Sequence, residues 1–538
     1  MKRLLVFTLL LVLTACSPAK EKQKDMYGDQ LGTVRIPLSC SEEANHYVER
    51  GDALLHHMTY VGARAAFITS TELDPECAMG YWGQAMSYIH PLWSDPPSEA
   101  DFKKGQSLLE KARASSQKGT RESAYITATE AYYSKGWNRN EKSNLASFSK
   151  GWEKVYRQFP DDLEAAAFYA LAYLGTADPN DKTFVKQKEA GAIVEKVLAK
   201  IPDHPGAHHY IIHAYDSPLL AKDALEVAHS YGKIAPAIPH ALHMPTHIYT
   251  RLGLWKESID MNSRSAAAAL QHPAGDQISL HYLHALDYLA YAYLQRAQDV
   301  KAKEVLDVLE NLQGPFQPHV ASAYPFAAVP ARIALERHQW KKAAMLKPQT
   351  PGTYPWDKFL AMEAVTHFAR ALGAARSGDS KAAKQSLDKL ATLREETAKT
   401  SAYWAKQIEI QRLSAQAWLT YEEGKQKEGL EMMRSAAGLE ASTEKHPVTP
   451  AEVLPVREMF ADMLLEMDHY KDALSEYEIS LERNPNRFNS LYGAGHAAEL
   501  GGNMSKAKFY YEMLIKMTAD ADKENARLRQ AKAFLDKN

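Results

Sequence analysis

The chain has 538 residues, 45% of them hydrophobic and 24% charged, with a formal net charge of −2 at pH 7. That near-neutral balance leaves no basic footprint, so neither nucleic acid nor an anionic lipid surface is an expected partner. The length exceeds what one compact core accommodates and calls for several domains or a repeat architecture.

At the N-terminus, Lys2 and Arg3 precede an apolar run from Leu4 to Leu13, shorter than the roughly 20 residues a helix needs to span a bilayer. This is the pattern of a signal peptide. The run ends in Leu13-Thr14-Ala15-Cys16, which resembles the lipobox of bacterial lipoproteins. The resemblance implies cleavage before Cys16 and lipid attachment to that cysteine. Ser17 in place of aspartate implies sorting to the periplasmic face of an outer membrane, in a host that has one. Residues 1–15 are thus read as leader, 16–38 as a polar, Lys-rich flexible tether, and 39–538 as the folded body. No later stretch approaches membrane-spanning length, so the lipid is the expected membrane contact.

The body is organised by repetition. Gly51, Leu54, Tyr60, Ala63, Phe67 and Pro75 form a first unit, and Ala461, Leu464, Tyr470, Ala473, Tyr477 and Pro485 another near the C-terminus. Ala473 to Ala507 and Tyr477 to Tyr511 are each 34 residues apart. Small residues let the two helices of a hairpin approach, large ones fill the gap to the next hairpin, and proline ends the second helix. Further units are placed at Trp152 to Pro160, Ala165 to Tyr173, Pro205, Pro239, Leu283 and Tyr324, with interruptions near 174–186, 313–322 and 348–358. In these residues the chain resembles bacterial tetratricopeptide-repeat lipoproteins. The resemblance implies an all-α, right-handed solenoid of helical hairpins whose first helices line a concave groove, a fold that usually scaffolds or binds a protein or peptide.

Two cysteines remain besides Cys16. Cys40 precedes the first helix of the first repeat and Cys77 the first helix of the second. A disulfide is allowed in a translocated protein, and buried reduced thiols are the alternative.

Chemistry concentrates between Pro202 and Asp287. His209 and His213 are four apart and share a helical face; His243 and His247 repeat the pair 34 residues later. Counted from the starts Pro205 and Pro239, all four take groove-facing places. His240 reaches the same side, and Asp216 lies a turn beyond His213. In the unit starting at Leu283, His284 holds the place of His240 and Asp287 that of His209 and His243. Such a stripe suits a borderline divalent transition metal, with Zn2+ the first choice and Cu2+ or Fe2+ next. The expected metal site is His209, His213, His243 and His247, with His240, His284 and Asp287 as neighbouring or alternative ligands. A polar groove lining is the alternative. His208, on the apolar side, is expected to pack, and His204 to start its helix. Pro245 should break the helix carrying His243 and His247. Pro330 holds the equivalent place in the unit where Arg332 faces the groove.

No nucleophile elbow, phosphate loop or HExxH helix is present, so no catalytic residue is assigned. The sequence leaves three readings open: an envelope lipoprotein whose groove holds a protein or peptide, a metal-sequestering protein, and a metal-dependent enzyme using the histidine stripe.

Overall fold

The computed structural model describes residues 27–93, 95–137, 140–178 and 181–538. The leader and Cys16 lie outside them. Among the described residues the regular elements are helices, with no strand beyond isolated bridges. The all-α reading holds: among the described residues the chain is a succession of helices packed against their neighbours in sequence.

The first compact unit runs to Val155. It contains α1 (Glu42–His56), α2 (Tyr60–Leu73), α3 (Ala78–Met86), α4 (Glu99–Ser115) and α5 (Arg121–Tyr133), and most of α6 (Glu141–Gln158). Its core is aromatic: Phe67, Trp82, Tyr125, Phe148 and Trp152 are all buried, the last four in mutual ring contact or through Trp152. Gly83 shows why the repeat keeps small residues, since a Cβ there would lie 2.2 Å from the Phe67 ring. Cys40 and Cys77 are joined by a disulfide that ties the chain ahead of α1 to the start of α3. The expected tether is shorter than 16–38 at its C-terminal end. Leu31 and Ile36 are buried, and Arg50 of α1 donates to Gly28 O, so the chain from Tyr27 onward packs against the first hairpin.

The second unit, from Tyr156, begins with α7 (Leu163–Leu174), α8 (Val185–Leu198), α9 (Pro205–Tyr215) and α10 (Leu225–Ile234). Then come α11 (Pro239–His243), α12 (Pro245–Leu252), α13 (Trp255–Gln271), α14 (Leu280–Gln295), α15 (Asp299–Asn311), α16 (Val320–Glu336) and α17 (Trp340–Ala344). The remainder is α18 (Leu360–Arg376), α19 (Ser380–Ala398), α20 (Ala402–Glu422), α21 (Gln426–Ala441), α22 (Val456–Glu466), α23 (Tyr470–Arg483), α24 (Phe488–Leu500), α25 (Met504–Met517) and α26 (Ala526–Lys537). Side chains cap many of these starts: Asp162 accepts from Ala165 N, His204 from Ala207 N and Ser279 from His281 N. Pro245 splits its helix into α11 and α12 as expected, because it cannot donate to the helical ladder. Pro325 and Pro330, by contrast, are carried inside the continuous α16.

The face of this unit that holds the histidines is covered. The segment 443–456, between α21 and α22, runs over it. Tyr288 of α14 donates to Pro447 O and Thr449 O, both at 3.2 Å, and Arg332 of α16 donates to Ala451 O at 3.0 Å. Further along, Arg487 bridges Glu336 and Glu458, while Gln295 accepts from Phe488 N. As a result fourteen of the sixteen residues of α14 are buried, so it is a central helix and not a lining of open surface.

Candidate metal centre

Three successive repeat units supply the histidines, and a fourth continues the register without one. Four and eight places after the repeat starts Pro205, Pro239, Leu283 and Tyr324 stand His209 and His213, His243 and His247, Asp287 and Tyr291, and Ala328 and Arg332. The imidazoles do not form the single four-histidine site expected. They form two groups of three, His209 with His213 and His240, and His243 with His247 and His284, with the ligand atoms of each group within 4.8 Å of one another. The second group copies the first. Its i,i+4 pair is displaced by 34 residues, and its third member by 44, the extra ten being the insertion before α14.

In the first group His209 Nε2 lies 3.1 Å from His213 Nε2 and 3.2 Å from His240 Nε2. An imidazole nitrogen carries either one proton or one lone pair, so a ring nitrogen facing two others satisfies at most one of them by donation. Around a tetrahedral ion with metal–nitrogen bonds of about 2.0–2.1 Å, neighbouring nitrogens would be roughly 3.3–3.4 Å apart, close to what is seen.

The second group is more constrained. His247 Nδ1 is 2.9 Å from Asp216 Oδ2, and His243 Nδ1 is 2.8 Å from Asn262 Oδ1. Asn262 Nδ2 donates to Ser258 O, which fixes its oxygen toward His243. Both acceptors require an Nδ1–H, so in the neutral rings both Nε2 atoms are lone pairs. Those two atoms face each other at 3.1 Å. Two lone pairs at that distance repel unless a cation or a shared proton sits between them. His284 completes the group, its ring centroid 4.2 Å from that of His243.

The electrostatics favour the neutral ligand form. Burial drives His240, His243 and His284 well below the ordinary imidazole range, lowers His247, and takes His213 down to about 3. His281, beside His240, falls to about 4 for the same reason. Burial alone would raise the Asp216 carboxyl, but Lys445, Arg251 and the His247 hydrogen bond hold it well below the usual range. Arg251 anchors it, donating to Oδ1 at 2.8 Å and to its main-chain oxygen at 3.1 Å. The carboxylate in turn orients His247, the arrangement that typically fixes a metal-ligating histidine.

Asp287 stands outside both groups. Its carboxylate takes an ion pair from the wholly buried Arg332, and burial pushes it up to about 6 against the pull of that guanidinium. One repeat beyond the second group, an acid–arginine pair therefore replaces the histidine pattern. His208 packs as expected, bonded to His204 O and Ser230 Oγ and stacked on Tyr231, and His204 caps α9. The open groove expected at the stripe is corrected: His209, His243 and His247 are at most 3% exposed, beneath the 443–456 segment.

Pattern reading overlooked Asn262 and Lys445. Asn262 had a signal, a polar residue where the repeat places a large packing residue. Lys445, 3.5 Å from Asp216 Oδ2, comes from more than two hundred residues along the chain and had none.

No protein-family model matches the chain, and no curated protein does. Among solved structures it is similar to a human IFIT1 dimer with m7Gppp-AAAA, at 12% identity and TM-score 0.37 over 93% of this chain and 100% of that one. It is also similar to the APC/C hetero-tetramer Cut9-Hcn1, at 10% identity and TM-score 0.30 over 92% and 90%. Likeness at that level has no bearing on the histidine groups.

Proposed function

We infer that the chain is a metal-binding repeat protein whose second unit holds two buried three-histidine centres. One observation carries this reading: His243 and His247, both fixed as Nδ1–H tautomers, turn their Nε2 lone pairs on each other at 3.1 Å. Ligands made only of imidazole suit Zn2+, copper or Fe2+. Three protein ligands leave a tetrahedral ion one position for an outside molecule, the pattern of catalytic centres, where structural zinc sites are closed by four. This favours a metal-dependent enzyme over a passive store. It also sets aside a peptide groove at this face, which the chain itself covers.

The test is elemental analysis of the full chain purified without an affinity tag after growth with Zn2+ or copper. Two equivalents per chain are expected. His243→Ala with His247→Ala should lose one equivalent while the helical circular dichroism persists, and a wild type that takes up no metal overturns the reading. The lipobox-like segment Leu13 to Cys16 supports a reading in which the chain is anchored in the bacterial envelope by lipid on Cys16. Cys16→Ser should leave it soluble or unprocessed; recovery in the membrane fraction at wild-type size would count against the anchor.

A further inference from the structure

Resting on that metal reading, we propose that the two centres work as one dinuclear copper unit whose substrate is dioxygen, reduced by one electron from each ion.

The first ground is proximity. The two groups touch at two places, His213 against His247 with ring centroids 6.3 Å apart and His240 against His243 at 6.5 Å, both within the span of direct ring contact. Together with His209 to His213 at 4.8 Å, His209 to His240 at 4.9 Å and His243 to His247 at 5.0 Å, these contacts close a circuit of five imidazoles. His284 sits against it, 4.2 Å from His243. Two ions held by these ligands are neighbours joined through touching rings.

The second ground is the ligand set. Six imidazoles without a carboxylate are a poor match for paired manganese or iron ions, which helical folds hold chiefly with glutamates. Copper stands highest among the divalent first-row ions in affinity for such nitrogen ligands.

The third ground is charge. Metal-bound imidazoles are neutral, and the Asp216 carboxylate behind His247 is outweighed by Arg251 and Lys445. Two divalent ions would add four positive charges to this buried volume, and uncompensated buried charge is costly. Two Cu+ ions add only two. When dioxygen binds the reduced pair, each Cu+ gives up one electron and becomes Cu2+, copper–oxygen bonds form at the fourth positions, and the O–O double bond becomes the single bond of peroxide. No proton is needed. The two negative charges of peroxide match the two gained by the metals, so the buried net charge does not change. A small uncharged substrate also suits a site covered by residues 443–456.

The experiment loads the full chain with Cu2+, counts the metal by elemental analysis and records the electron paramagnetic resonance. Two coppers per chain are expected, with a signal broadened or lost through coupling of the two spins. His209→Ala with His213→Ala, and His243→Ala with His247→Ala, should each keep one copper with the signal of an isolated ion. The wild type, reduced with dithionite and freed of reductant, should then consume one dioxygen per copper pair and gain a peroxide-to-copper absorption band; both double variants should lose this uptake. Two coppers with undiminished, uncoupled signals, a reduced pair inert to dioxygen, or a chain that takes zinc and refuses copper overturns the dinuclear unit while leaving the metal reading intact. Failure to take up copper, zinc or iron removes both, and the elemental analysis tells the two failures apart.

Discussion

The two histidine groups share their ligands but not their surroundings. In the second, His243 leans on Asn262 and His247 on Asp216, which is itself clamped by Arg251. One repeat before Asn262 stands Ala228, whose side chain can accept nothing. Repetition thus copied the three imidazoles and left the supporting polar groups to diverge. The lesson is that equal ligand sets need not make equal sites, because the groups behind the ligands set tautomer, orientation and basicity.

Removing ligands has the largest expected effect. His209→Ala with His213→Ala should abolish one metal equivalent, and His243→Ala with His247→Ala the other, each read by elemental analysis. Loss of both ions from either variant would show that the groups fill as one cooperative site and erase the comparison. His208→Ala is the control: it should lower thermal stability and leave metal content alone.

The third register offers the next contrast. Arg332→Met strands the buried Asp287 carboxylate and should cost about 3–5 kcal/mol in denaturant unfolding. Metal stoichiometry should stay unchanged, since neither residue belongs to a histidine group. A loss of metal there would mean that the acid–arginine pair, through Ala451 O, holds the covering segment in place over the centres.

A subtler variant separates the groups directly. Asn262→Ala removes the acceptor that fixes His243 and should weaken the second centre by about 10–100-fold, leaving the first as it was. Competition with a chelator would then resolve a tight and a weak ion where the wild type holds the second one tightly. Equal affinities in the variant would show that the polar support is irrelevant.

Acid gives the most distributed effect. In the metal-free protein burial takes His213 and His446 down to about 3 and His281 down to about 4, against about 6.5 in an unfolded chain. Below that unfolded value the unfolded state binds protons that the folded state refuses, so stability is full above about pH 6.5 and declines as pH falls toward 4. Melting temperatures from pH 8 to pH 5 should drop accordingly, and bound metal should delay the drop. A flat profile would mean the imidazoles reach solvent.

The helical hairpins were legible because their causes are local: the 34-residue return of small and large residues, the caps, and proline at helix ends act over a few turns. So was the pairing of His209 with His213 and His243 with His247, since four residues on a helix share a face. His284 as the counterpart of His240 followed from the repeat register as well. By itself, then, the sequence determined an all-helical repeat protein with imidazoles stacked at a repeat spacing. Tertiary structure decided their division into two groups, because each third ligand comes from the next hairpin and the inter-helix distance chooses its partners. It also decided that Asp287 belongs to Arg332, that Asn262 and Asp216 set the tautomers, and that residues 443–456 bury the stripe and bring Lys445 to it. The physical reason is range: periodicity reports which residues share a face, while burial, tautomer and charge balance depend on what distant segments lay against that face.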